Sequence, residues 1–455
     1  MRIAEENELL TQSDSAGVSS PSVRNTVSVA GRFSFIGTVI AQFLILVFGM
    51  VTGFASARLL GPQGRGELAA VTLWPMAFVF LASLGINQAI VYHTGKKNRS
   101  VSEIWTALLT LGIVESLVVV AAGLLLAPRL LAHYSPDVQR LGIWFFIATP
   151  FLFFSGLPGN LLQGRGDLHR FNFLRLIAPG IIAIGLVALL IVHDHSLKAV
   201  LVTQVLGYAL AVAAGIALVY SQLAPKFKFH SGAAKDLLSY GVRTHLTNLT
   251  SYFNQRVDQL ILSLLIPAQE LGLYAVAVTL SMAVAFFPVA AGINTFSRGA
   301  NQSDSAARRT VAAQFRASFL WLLLACVGLY IAAPFLIVTV LGPRFSGSIL
   351  ACRILLPGTV ALGLNQVLYG GANALGKPLL PTCAESIGLV ATAIGLALFV
   401  PKYGYLGAAG VSTVAYTVSL IVMLFLSGSR LQLGLRDLLL LAPALSAEPA
   451  EVVEA

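Results

Sequence analysis

Apolar runs of about 20 residues recur from one end of the chain to the other, and few folds tolerate that pattern. In hydrocarbon every backbone N–H and C=O must find its partner within the protein, so a run of that length crosses as a helix. Twelve such segments can be counted, at 33–60, 67–93, 103–132, 138–162, 171–193, 197–221, 239–266, 270–297, 311–341, 347–375, 379–401 and 404–428. The alternating strands of about 10 residues that build a membrane barrel are not present. Hydrophobic residues make up 57% of the chain and charged residues 11%, against about 25% charged in a soluble domain. The expected fold class is an all-α polytopic membrane protein.

Turn residues punctuate the runs: Gly61-Pro62 after the first, Pro267 after the seventh, Gly342-Pro343 after the ninth and Pro401 after the eleventh. Residues 1–32 are polar, mixed in charge and Ser-rich, which reads as a disordered cytoplasmic tail without a cleavable signal. Residues 429–455 read as a second tail. Lys and Arg are distributed unevenly between alternate connections, twenty on the side that holds both tails and eight on the other, with Arg256 inside a span. The positive-inside rule then places both termini in the cytoplasm. It also accounts for a net charge of +10 without nucleic acid, for which no soluble basic face with aromatic platforms is available.

An internal repeat divides the chain. Residues 68–87 (LAAVTLWPMAFVFLASLGIN) and 275–294 (AVAVTLSMAVAFFPVAAGIN) align without gaps at eight identical positions of twenty, including Thr72/Thr279, Phe80/Phe287, Gly85/Gly292 and Asn87/Asn294. Ile184-Gly185-Leu186 likewise corresponds to Ile394-Gly395-Leu396. The expected organisation is an N-terminal six-helix lobe at 33–221, a basic cytoplasmic linker at 222–238 and a C-terminal six-helix lobe at 239–428. Six is even, so the lobes share one topology, with a pseudo-two-fold axis along the membrane normal. Two matched bundles around a central cleft suit alternating access.

Ionisable residues within spans are costly and therefore candidates for function. They are Glu115 in the third span, Arg243, Arg256 and Asp258 in the seventh, and Glu385 in the eleventh. At 100° per residue Arg243, Thr247, Ser251, Asn254 and Asp258 fall within a sector of about 80°. A stripe this polar is expected to line a hydrated cavity between the lobes, with Arg256 on the far side, pairing with another helix or with Asp258. Asp258 suits either an ion pair with Arg256 or Arg243 or a role in substrate or ion binding. Glu115 suits either a protonated, hydrogen-bonded acid or a proton-coupling carboxylate; Glu385 reads as structural or as part of the pathway. Asn365, Gln366, Tyr369 and Asn373 follow helical spacing and suit sugar contacts or interhelical hydrogen bonds. Arg243 lies near the inner mouth, where it would attract a phosphate head group or snorkel to the interface.

No catalytic constellation emerges. Gly61-Pro62-Gln63-Gly64-Arg65-Gly66 lacks the ending and the preceding strand of a phosphate loop. Cys326, Cys352 and Cys383 have no metal or redox spacing and read as small buried hydrophobes. No connection is long enough for an extramembrane catalytic domain, so no enzyme, metal or cofactor is expected.

Three stretches carry a resemblance. RLLGPQGRGELAAV (58–71), DQLILSLLIPAQELGLYAVA (258–277) and LLQGRGDLHRFNFLR (161–175) resemble the corresponding regions of bacterial polysaccharide-export flippases of the MATE-like MOP superfamily. The likeness extends over about 33–428. It implies a flippase of the bacterial inner membrane that moves undecaprenyl-diphosphate-linked O-antigen or exopolysaccharide repeat units from the cytoplasmic to the outer leaflet. H+ or Na+ would be the candidate coupling ions, with membrane lipids and the polymerase or export proteins of the same pathway as candidate partners. The alternatives are a cation-coupled multidrug antiporter or a lipid II flippase of the same superfamily, and then a membrane polymerase or ligase. Lipid II flippases usually have fourteen helices, and a polymerase would be expected to carry a large outer loop.

Overall fold

The computed structural model describes residues 26–97, 99–299 and 302–439, with the side chains of 26–36, 246–248 and 297 excepted. It is all-helical: α1 (Thr26–Ala82), α2 (Ile86–Lys96), α3 (Val101–Leu130), α4 (Pro136–Ile147), α5 (Thr149–Gly164), α6 (Leu168–Ile191) and α7 (Leu197–Leu223) make the first half. The second half comprises α8 (Ser231–Leu265), α9 (Ala268–Ala283), α10 (Phe286–Gly299), α11 (Asp304–Leu336), α12 (Gly347–Ala374), α13 (Leu379–Leu431) and α14 (Leu435–Leu439). Side-chain oxygens of Ser100, Ser135, Asp167 and Ser196 accept the first free backbone N–H groups of α3, α4, α6 and α7, which fixes where those helices start.

Eight helical stretches among the described residues are long and apolar enough to cross a membrane, and the pair α9–α10, bent by 51°, makes a ninth. The difference from the expected twelve has a physical origin. Gly37–Ala82 and Leu379–Leu431 run for 46 and 53 residues, at 1.5 Å per residue more than twice the roughly 30 Å of a bilayer core. Each is interrupted by a glycine outside helical geometry, Gly61 (φ 64°) and Gly404 (φ 54°), a conformation in which a side chain would be strained. The 35-residue α8 is long enough but too polar to be among the eight.

The expected tails need redrawing where they are described. Helix α1 already begins at Thr26, and residues 1–25 lie outside the described set. At the other end α13 continues to Leu431, and Leu433 and Leu438 are buried against α11. The Arg316 guanidinium ties that segment down by donating to the Asp437 carbonyl at 3.0 Å. Apolar burial extends the fold past 429; residues 440–455 lie outside the described set.

The halves share one core at the end where the chain turns at Gly61 and Pro267. That cluster draws Leu59, Leu68 and Val71 from α1, Phe145 from α4, Leu262 from α8, Leu271 and Tyr274 from α9, and Cys352 and Leu355 from α12. A second cluster belongs to the second half alone (Val311, Phe315, Val367, Leu368, Leu431), and a third to the first half plus the start of α8 (Ile90, Trp105, Leu108, Leu161, Leu237). The shared core is held at one close crossing. A Cβ built on Gly66 would lie 1.7 Å from the Ala268 carbonyl oxygen, and one on Gly272 would lie 1.9 Å from that of Pro62. Only hydrogen fits at either position, so the backbones of α1 and α9 touch, as small residues permit in membrane helices.

Gly66→Ala should therefore destabilise the protein by about 1–3 kcal/mol through overpacking. Gly410→Ala, whose Cβ would meet nothing within 4 Å, should be neutral or mildly stabilising. Thermal unfolding of the two variants in detergent distinguishes them, and equal midpoints would contradict the close crossing.

Candidate functional site

Two cavities lie along the repeated segments. The first, about 460 Å³, is walled by Arg65, Thr72, Met76, Phe80, Ser83 and Asn87 of the first repeat and its flank, by Phe153 and Ser155 of α5, by Tyr208 of α7, and by Tyr252, Arg256 and Gln259 of α8. The second, about 670 Å³, lies between the early part of α1 (Gln42, Ile45, Leu46, Met50), Arg175 of α6, Gln255 and Arg256 of α8, the second repeat (Val278, Thr279, Met282, Phe286, Val289, Asn294) and Gln366 of α12. Equivalent repeat positions thus serve equivalent ends: Thr72 and Asn87 face one cavity, Thr279 and Asn294 the other. Arg256 stands on the wall common to both.

The charges are sorted. Neither wall contains an Asp or Glu, whereas Arg65, Arg175 and Arg256 all take part. The ion pairs among the described residues are Arg99–Asp236, Arg140–Asp137, Arg170–Asp167 and Lys228–Glu103, none of which uses these arginines. Arg175 donates to Gln42 Oε1 at 2.7 Å and lies over the Phe171 ring, neutral partners that leave its charge uncompensated. The first cavity also carries an aromatic platform, Phe80 stacked on Tyr252 with centroids 3.9 Å apart and planes 8° from parallel. Beside it Asn160 Nδ2 donates to Asn87 Oδ1 at 2.8 Å.

The expected polar stripe of α8 faces elsewhere. Asp258, 3% exposed, accepts from Tyr274 Oη at 2.5 Å, from Ser412 Oγ at 3.1 Å and from the Gln259 backbone N–H at 2.7 Å. It is held by hydroxyls of α9 and α13 and makes no ion pair with Arg256 or Arg243. Ser251 donates to Glu385, the Tyr416 hydroxyl donates to the Asn254 carbonyl, and Asn365 and Tyr369 share Ser419 Oγ at 3.3 and 3.1 Å. These residues form a polar seam inside the second half rather than a cavity wall. The reason is periodicity: Tyr252, Arg256 and Gln259 present one face of α8 to the first half, and Ser251, Asn254 and Asp258 present the adjacent one to α9 and α13.

The remaining expected positions scatter. Glu115 is buried in the first half with neither carboxyl oxygen hydrogen-bonded. Arg243 is exposed near the start of α8, and the side chain of Thr247 lies outside the described set. Of the candidate residues, Arg256 and Gln366 reach a cavity wall. Arg65 and Arg175, by contrast, fall with the loops on sequence grounds, yet they line cavities. The nearest signal for them is the regularity of the repeat, since Arg65 lies one turn before the segment that lines the first cavity.

The model of the polysaccharide biosynthesis protein family matches residues 34–297. The chain belongs to the polysaccharide biosynthesis protein family. No curated protein matches it individually. Among solved structures, the lipid II flippase MurJ in an inward closed conformation is 17% identical, with a TM-score of 0.70 over 86% of this chain and 87% of that one. An inward-facing multidrug resistance MATE family transporter of the MOP superfamily is 14% identical, with a TM-score of 0.69 over 87% of this chain and 98% of its own. The MATE multidrug transporter DinF-BH is 16% identical, with a TM-score of 0.61 over 92% and 99%. This member of the polysaccharide biosynthesis family therefore has the fold of the MOP-superfamily transporters, and the all-α membrane class read from its apolar runs holds.

Removing one hydroxyl from Asp258, by Tyr274→Phe or Ser412→Ala, should cost about 1–3 kcal/mol each, since the buried acceptor is left short of a donor. Denaturation in detergent measures it; stability unchanged in both would mean that Asp258 does not depend on these donors.

Proposed function

We propose that this chain is a flippase that carries a lipid-linked oligosaccharide, joined to its polyprenyl tail through a diphosphate, from the cytoplasmic to the outer leaflet of a bacterial inner membrane. The observation that carries the reading is the cationic, acid-free lining of two adjoining cavities. A membrane-buried arginine without a carboxylate favours an anion, and guanidinium forks match phosphate oxygens two at a time. The second cavity supplies the other half of such a ligand: Ile45, Leu46, Met50, Val278, Phe286 and Val289 make it apolar along most of its length, which suits a polyprenyl tail. Arg175 and Arg256 stand beside that apolar surface, where a diphosphate would follow the tail. The first cavity, with its stacked Phe80 and Tyr252 and its amides, suits the sugars, whose apolar ring faces pack on aromatic rings.

The same lining disfavours a cationic drug as cargo, because a carboxylate would be needed to face it and the buried carboxylates Asp258, Glu385 and Glu115 face neither cavity. The organisation read from the sequence completes the proposal. Each arm of α1 and α13 would cross once, as would α8 and the bent α9–α10 pair, giving twelve crossings in two six-helix lobes joined by the basic linker 222–238. Both termini would lie in the cytoplasm. An anion carried outward gains about 2.3 kcal/mol per charge for every 100 mV of membrane potential, which contributes to driving the step without any bound ion. Asp258, Glu385 and Glu115 remain the groups to examine for H+ or Na+ coupling.

In a strain lacking the gene, lipid-linked repeat units should accumulate in the cytoplasmic leaflet, and the wild-type chain should clear them. Arg256→Gln should lower the rate of clearance by at least about tenfold, the loss of one charge-assisted hydrogen-bond pair, while Arg256→Lys should retain part of it. A leaflet distribution unaffected by the deletion would refute the reading.

A further inference from the structure

Arg65 lines the first cavity but not the apolar one. Its guanidinium Nε is buried with no hydrogen-bond partner, and no carboxylate pairs with it among the described residues. The other charged side chain on the same wall is Arg256, of like sign. A half-buried guanidinium whose Nε is left this way is unfavourable until something supplies an anion. One further orphan lies on the wall of the first cavity, the buried Gln259 Nε2. Both orphans are donors, and none of the acceptors lining that cavity is buried without a partner. A sugar hydroxyl, which both donates and accepts, does not explain so one-sided a deficit; an acceptor-only group does.

The diphosphate is poorly placed to be that group. Arg175 and Arg256 border the apolar cavity, where the tail and its head group would lie, whereas Arg65 borders only the first cavity. It sits at that cavity's far end, beside the Gly66–Ala268 crossing where the halves are closed together. Along α1 and into α2 the wall runs from Arg65 past the Phe80–Tyr252 stack to Asn87. A chain of sugars entering that space would bring its own substituents to Arg65.

From these facts we infer that Arg65, assisted by Gln259, recognises a carboxylate carried by the oligosaccharide itself, so that the transported repeat unit includes an acidic sugar such as a hexuronate. The inference rests on the flippase reading and adds the chemical class of the glycan. Guanidinium and carboxylate would meet as a fork on two oxygens, a geometry that a hydroxymethyl group at the same position cannot offer. Selection would arise in the first cavity, independently of the diphosphate.

The test uses the full-length chain in detergent and two synthetic probes. Both are short polyprenyl diphosphates bearing a disaccharide, one ending in glucose and the other in glucuronate, so that they differ only at C6. Titration calorimetry on the wild type should give a dissociation constant at least about tenfold lower for the glucuronate probe, as expected for a charge-assisted pair formed out of water. Arg65→Gln should bring the ratio of the two constants close to one, and Arg65→Lys should keep an intermediate ratio, because it retains the charge but not the fork. Arg256→Gln should weaken both probes while preserving their ratio. Equal binding of the two probes by the wild type would overturn the acidic-sugar inference and leave the flippase reading standing, as would an Arg65→Gln variant that keeps the full ratio. Binding of neither probe to the wild type would overturn both.

Discussion

The contact between Gly66 and Gly272 is the constraint on which the rest of the molecule depends. With hydrogen in place of side chains, α1 and α9 meet backbone to backbone, and the apolar residues that flank them merge into one core shared by both halves. Away from that crossing the second half keeps a core of its own, and the first half shares its other core only with the start of α8. The helices that touch at one end therefore frame open space farther along: both cavities lie along α1, and the second also along α9 and α10. Close approach at one end and cleft at the other are two consequences of one packing choice.

Polar groups are partitioned by sign around that frame. Within the second half Asp258 and Glu385 turn inward, where hydroxyls from Tyr274, Ser412 and Ser251 satisfy them. Buried carboxylates can be kept this way because a hydroxyl donor compensates part of the lost hydration. Arg65, Arg175 and Arg256 line the cavities, and none of them takes part in the ion pairs among the described residues. The result is a cleft lined by arginines and no acids, although the helix bearing Arg256 carries an acid two residues away. Members of the MOP superfamily share the fold, so what distinguishes one cargo from another has to reside in such side chains.

Much of this is legible in the sequence. The apolar runs specify the fold class because the bilayer leaves the backbone no alternative. The repeat at 68–87 and 275–294 marks the segments that line the two cavities, with Thr72, Thr279, Asn87 and Asn294 among the shared positions on the walls. The face of α8 is not legible. A helical wheel collects Ser251, Asn254 and Asp258 into a stripe, but it cannot tell whether water or the hydroxyls of Tyr274 and Ser412 will satisfy them, because those partners lie on other helices, Ser412 far along the chain. Arg65 is obscured for a related reason. Loop-rich sequence around Gly61 and Gly64 reads as a connection, whereas α1 resumes directly after its break at Gly61 and carries Arg65 onto the wall.

On the proposed function, the cleft carries an anionic lipid-linked glycan rather than a cation. The most direct measurement is made in liposomes reconstituted with the full-length chain, following a fluorescent polyprenyl-diphosphate disaccharide and a cationic dye in parallel by the accessibility of each to a quencher outside. The proposed flippase activity requires that the diphosphate lipid exchange between leaflets faster than in protein-free liposomes while the dye stays where it was loaded. Movement of the dye with no effect on the lipid would contradict it.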